Sequence, residues 1–239
     1  MIHPSAVVDS KDVGDDVEIG PFCVVEEGAV LGAGVILHSH VVVKSGVTLG
    51  ARCEVFPGAV IGKAPSGAGA TSREIQFRRV VSIGEGCSIG PHAVVFYDVE
   101  IGRNTLLGDG ASIREGGRIG DRCILSRYVT LNYNVTMGDR VKVMDLSHIT
   151  GNTVLEDDVF VSTLVGTTND NAMGRSGYDD GSIVGPAVRK AAVVGCGAML
   201  LPAVVVGRGA TVGAGAVVTR DVPDEALVMG VPARVVQSR

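Results

Sequence analysis

Every sixth residue of this chain is aliphatic along three long stretches, and a period that strict leaves few architectures open. The first stretch runs from Val7 through Val13, Ile19 and Val25 to Ile61. The second runs from Ile83 through Ile119 and Leu131 to Val161, and the third from Val188 through Leu200 and Val212 to Val218. Six matches neither the two-residue alternation of an open strand nor the 3.6 of a helix. It fits a solenoid whose coil is a triangle of three short strands, about 18 residues around, with one aliphatic side chain directed inward from each side. Thirty such positions predict about ten coils. At the ~4.8 Å spacing of paired strands, the prism is about 48 Å long.

The composition suits a narrow core. Aromatic residues make up 4% of the chain and there is no Trp. Glycine, 34 of 239 residues, recurs directly after the aliphatic position, as in Ile19-Gly20, Ile83-Gly84 and Val212-Gly213. Gly, Asn and Asp are expected at the tight corners, where a positive φ costs them little. Cys23, Cys53, Cys87 and Cys123 each fall four residues after an aliphatic position, in a column otherwise rich in Ala. They read as small core residues rather than metal ligands or disulfide partners. The net charge of −5 comes without a basic stripe, which argues against a nucleic-acid partner. The longest apolar run, Met199 to Val206, is broken by Pro202 and is short of the ~18 residues of a membrane span. The N-terminus has no signal-peptide pattern, so a cytoplasmic location is expected.

Two interruptions stand out. Ile61 and Ile83 are 22 residues apart, four more than one coil, and the surplus reads as Ala64 to Ala70. Val161 and Val188 are 27 apart, nine more than one coil, with the surplus between Thr167 and Ile183. The expectation is one β-helix domain over 1–239 with inserted loops near 62–80 and 162–187. In a regular solenoid, such insertions are where function concentrates.

Three segments carry a resemblance. Val212-Gly213-Ala214-Gly215-Ala216-Val217-Val218-Thr219-Arg220-Asp221-Val222-Pro223, followed by Gly230-Val231-Pro232-Ala233-Arg234, is similar to the end of hexapeptide-repeat acetyltransferases that use acetyl-CoA. Ile19-Gly20-Pro21-Phe22-Cys23 and Leu37-His38-Ser39-His40-Val41-Val42-Val43 resemble the UDP-N-acetylglucosamine O-acyltransferases of lipid A synthesis. Glu156-Asp157-Asp158-Val159-Phe160, with Thr168-Asn169-Asp170, resembles the nucleotide-linked amino-sugar N-acetyltransferases. The family resemblance implies an all-β, left-handed parallel β-helix. It also implies a homotrimer that holds the thioester in the cleft between neighbouring prisms, with no metal. Two departures from the O-acyltransferases are visible. The C-terminal helical domain is expected to be absent, and the second histidine of their His-Ile-Ala-His segment, a catalytic base, is replaced here by Gly151 in His148-Ile149-Thr150-Gly151.

The resemblance places backbone groups near Ala198 and Ala216 beside the pantetheine arm of CoA, and Arg220 and Arg234 near its adenine and phosphates; small side chains let a thin ligand lie against the coil, and guanidinium groups suit phosphate oxygens. It assigns Arg175 to an arginine of the N-acetyltransferase loop. Among the polar residues, His148 is the candidate base. Asp145, Asn169 and Asp170 are candidates to bind the sugar or orient its amine. Asn132 and Asn134 are expected to serve corners. His38 and His40, two apart, need not share a face, and His92 follows Pro91 at a turn. Tyr128 and Tyr133 are candidates to stack on a base. Arg73, Arg78 and Arg79 form a basic cluster beside the first loop. The first reading is transfer of an acetyl or other short acyl group from CoA to the amine of a nucleotide-linked sugar, where positioning alone supplies much of the rate. The alternatives are an acyl-carrier-protein-dependent sugar O-acyltransferase of the lipid A type and a non-catalytic β-solenoid.

Overall fold

The computed structural model describes residues 1–70, 73–178 and 181–237. Strands of mostly two or three residues follow one another at six-residue steps and pair in parallel with the strands one coil before and after. They form three sheets of 11, 10 and 12 strands, the faces of a left-handed parallel β-helix. That is slightly more coils than thirty aliphatic positions predict. Thr167, Val222 and Val228 also take inward positions, each at most 4% exposed. The chain then turns back, and Arg234–Gln237 pairs antiparallel with Leu227–Met229. No helix among the described residues is long and apolar enough to cross a membrane.

Each strand sends two columns inward. One is the aliphatic column, in which Leu31, Leu49, Ile89, Leu125 and Ile149 are all at most 1% exposed. Such side chains each contribute about 1.5–3 kcal/mol on burial. The other column lies two residues earlier and holds Cys23, Ala29, Cys53, Ala59, Cys123 and Ala198, equally buried. Small size is half of its logic. The thiols of Cys23, Cys53, Cys87 and Cys123 also donate to the carbonyls of His38, Gly84, Gly102 and Gly138. Thr105 and Ser147 do the same for Gly120 and Ser162. These carbonyls lie just past the aliphatic position, where the chain bends into a corner, so the Cys/Ser/Thr column satisfies acceptors that the ladder leaves over. Burial pushes the Cys123 thiol up to about 11, which keeps it protonated and unreactive.

The corners run through the left-handed region. Gly34, Asn104, Asn134 and Asp158 serve there as expected, but so do Phe22, Tyr128, Leu146 and Leu164, with φ between 55° and 61°. Bulky residues tolerate this region poorly. The coil geometry imposes it on them regardless.

The insertions are longer than the spacing suggests. Val81–Ile83 pairs with Val47–Leu49, on the face that directly follows the one holding Ile61, so 22 residues stand in place of six. Gly166–Thr167 pairs with Met199–Leu200 and continues the prism, although it falls within the stretch that spacing assigns to the second loop. Ala187–Val188 then takes up the next face. The insertions therefore occupy 64–80 and 168–186. The polar Thr167 at an inward position hid one side of a coil from the aliphatic count.

Candidate active site

A strand position that faces outward recurs every 18 residues on one face, so its side chains stack up the prism. On the face built from Ser112–Ile113, Thr130–Leu131, His148–Ile149, Gly166–Thr167 and Met199–Leu200, the stack reads Ser112, Thr130, His148, Gly166, Met199. Arg114 and Asn132, one residue past the inward Ile113 and Leu131, stand beside it. Ser112, Arg114, Thr130, Asn132 and His148 line an open groove of about 340 Å³.

His148 Nδ1 lies 2.7 Å from Thr130 Oγ1. Neighbouring coils displace part of the ring's hydration and hold its pKa below the ordinary histidine value, so it is neutral at pH 7. In the tautomer whose Nδ1–H donates to Thr130, Nε2 keeps its lone pair and serves as a base.

Next to this groove the two insertions meet on one side chain. The ring of Tyr133, 7% exposed, lies against Gly151 so closely that a Cβ there would stand 2.6 Å from its Cε2 and Cζ. Arg73 of the first insertion places its guanidinium 4.1 Å from the Tyr133 ring centre and pairs with Glu115, whose side chain is 2% exposed. Arg114 shares that carboxylate. From the second insertion, Tyr178 Oη donates to Tyr133 Oη at 2.7 Å, and Asn169 Nδ2 donates to Tyr133 Oη and to the Gly151 carbonyl. Gly151 is thus a packing requirement. A residue with a side chain at that position has to evict the ring that ties both insertions to the prism. Gly151→Ala is expected to cost about 1–3 kcal/mol through overpacking. It is also expected to speed proteolytic cleavage within 168–186, read by timed digestion; unchanged stability and cleavage would contradict the packing argument.

The other sequence candidates are placed as follows. The Asp145 carboxylate is taken up by Ser126 Oγ and by the backbone and guanidinium of Arg127. The Arg127 guanidinium and Ser126 hydroxyl hold its pKa down to about 2. No hydrogen bond joins it to His148 among the described residues. It repeats a corner pattern in which Asp139 and Asp157 accept the backbone N–H of the residue one coil back. Asp170 accepts from the N–H groups of Ala172 and Gly174 and so shapes its own loop. Arg175 is exposed on that loop. Ala198 and Ala216 are fully buried, and their N–H groups already donate to Gly195 and Gly213. They offer no surface; the neighbouring corners Gly197 and Gly215 do, with nothing within 4 Å of a Cβ placed there. Arg220 and Arg234 are brought together at a small groove near the C-terminal end. The basic cluster is split. Arg73 packs half-buried against Tyr133 and pairs with Glu115, Arg78 pairs with Asp98 and Glu100, and Arg79 stays exposed. His38 stacks on Phe56 and bonds Glu54, while His40 leans on Phe22.

Sequence reasoning assigned Asn132 to a corner and left Arg114 and Glu115 unremarked. The signal for Arg114 and Asn132 was available: each lies two residues past a member of the Ser112–Thr130–His148 stack. Nothing in the periodicity marked Arg73 or Tyr178.

Residues 12–45 match the model of the bacterial transferase hexapeptide, six repeats. The chain is 36% identical over 110 residues, 45% of its length, to an acyl-(acyl-carrier-protein)–UDP-N-acetylglucosamine O-acyltransferase of Mesorhizobium japonicum. It is 32% identical over 123 residues, 42% of its length, to the Brucella ovis enzyme of the same name. These alignments span 38% and 44% of the relatives' own lengths. Among solved structures, the Arabidopsis UDP-N-acetylglucosamine acyltransferase superposes with a TM-score of 0.67 at 25% identity, covering 98% of this chain and 73% of that one.

Proposed function

We propose that this chain is an acyltransferase that moves an acyl group from a carrier thioester to a nucleotide-linked amino sugar, with a hydroxyl of the sugar as nucleophile and His148 as base. The observation that carries this reading is His148, its Nδ1 2.7 Å from Thr130 Oγ1, at the rim of a polar groove. A sugar hydroxyl is a poor nucleophile until a base takes its proton, whereas a neutral amine attacks a thioester unaided. A positioned base therefore favours O-acylation over the N-acylation that the sequence suggested first. The similarity to acyl-carrier-protein-dependent O-acyltransferases points the same way. CoA-dependent N-acylation is the second reading. It is supported by the meeting of Arg220 and Arg234 at one groove, where guanidinium groups suit the phosphates of CoA. The homotrimer is part of both readings. Tyr128, Leu146 and Leu164, stacked on one edge and 61%, 57% and 57% exposed, supply an apolar ridge for neighbouring copies.

We read the acyl chain as short: Met199 folds over Gly166, with Sδ and Cε within 3 Å of where a Cβ would be, on the coil beyond His148. The test is a grid of acyl-carrier-protein and CoA thioesters of graded length against UDP-N-acetylglucosamine and UDP- and dTDP-amino sugars, read by thiol release. Ester formation from the carrier-protein donors is expected, with Met199→Gly shifting the optimum to longer chains. Amide products from acetyl-CoA would replace this reading with the second. No turnover in any cell of the grid would leave the β-solenoid without enzymatic function.

A further inference from the structure

We infer that Asn132 donates the hydrogen bond that stabilises the oxyanion of the transfer step, an assignment that rests on the acyl-transfer reading of the His148 groove. Asn132 serves its corner through Oδ1 alone, which leaves the other half of its amide unused. It stands half-buried at the lip of the groove, and its backbone N–H donates to the carbonyl of Ile149 on the coil that carries His148.

Two donors fix the orientation of its amide. Oδ1 accepts from Arg114 Nη1 at 3.2 Å and from the backbone N–H of Tyr133 at 2.9 Å. With the oxygen turned into the protein, the Nδ2 amino group is left for the groove, and no acceptor meets it among the described residues. Arg114 is itself anchored, because its Nε and Nη2 bind the buried Glu115. Tyr133 is held by Arg73, Asn169 and Tyr178. The result is a donor pre-oriented by groups that do not touch the ligand, which is what oxyanion stabilisation requires. It also gives the insertions a role: they lock Tyr133, whose N–H orients Asn132.

The electrons balance with the side chains of the groove and the two substrates. His148 Nε2 takes the hydroxyl proton as the acceptor oxygen bonds the thioester carbon. The carbonyl π pair moves onto oxygen, and the oxyanion accepts from Asn132 Nδ2. On collapse the carbonyl re-forms, the C–S bond breaks, and the imidazolium returns its proton to the departing thiolate.

Asn132→Asp keeps Oδ1 facing Arg114 and Tyr133 and removes the donor; Asn132→Ala removes both. Each is expected to lower kcat about 10²–10³-fold with KM for the sugar nearly unchanged, the size seen when one oxyanion donor is lost. A readout independent of turnover is the infrared carbonyl stretch of a ¹³C-labelled acyl thioester bound to the His148→Ala protein. The stretch is expected to be lowered there and to rise when Asn132→Ala is added. A kcat within threefold of wild type, or a stretch that Asn132→Ala does not move, overturns the assignment. A thioester that fails to bind the His148→Ala protein overturns the acyl-transfer reading itself.

Discussion

A chain carrying Leu125→Asp is expected not to hold the prism together. Leu125 is fully buried, and it pairs with Leu107 below and Val143 above, both at most 1% exposed. A carboxylate there meets no cation and no water, and the effective penalty for an unpaired buried ion is several kcal/mol. Leu125→Ala, which leaves only a cavity, is expected to cost about 2–5 kcal/mol. The solenoid sharpens the contrast, because each coil is covered only by its two neighbours and a broken coil uncovers both. Urea titration followed by circular dichroism checks the order: a lowered midpoint for Leu125→Ala, and a soluble fraction or sheet signal lost for Leu125→Asp. Equal midpoints for wild type and Leu125→Asp would mean that the column is not the core.

His148→Ala is expected to lower kcat about 10²–10⁴-fold, the span typical of general-base catalysis, with KM for the sugar little changed. The pH dependence carries the sharper test. Desolvation favours the neutral ring and lowers the pKa of His148. The basic form therefore predominates at neutral pH, and kcat/KM falls as pH drops through a value below the ordinary ~6.5. That acid limb is expected to vanish in His148→Ala. A variant that keeps both the rate and the acid limb would show that no protein base at this position is used, which favours the amine-acceptor reading.

Much of the site was legible because it is periodic. Ser112, Thr130 and His148 are 18 apart, so a triangular coil stacks them on one face without further information. The same arithmetic failed at Thr167, where a polar residue fills an inward position and hides one side of a coil, and so the second insertion was read as starting too early. Asp145 reads in the sequence as a polar candidate to bind the sugar or orient its amine. In the folded chain the corner directs its carboxylate to Arg127 and Ser126 on the coil below. Ala198 and Ala216 looked like a surface for a thin ligand because they are small, but they are small because they face inward.

The six-residue period alone determined the three-sided coil, its parallel pairing and the composition of its core, because every coil obeys the same local geometry and neighbouring coils repeat it. Only the tertiary structure decided that Arg73 reaches Glu115, 42 residues away, and that Tyr178 reaches Tyr133, 45 away. Those contacts depend on how two aperiodic loops fold back across several coils. No local pattern encodes that path; it is selected by a buried carboxylate that needs cations and an aromatic ring whose neighbour is a glycine.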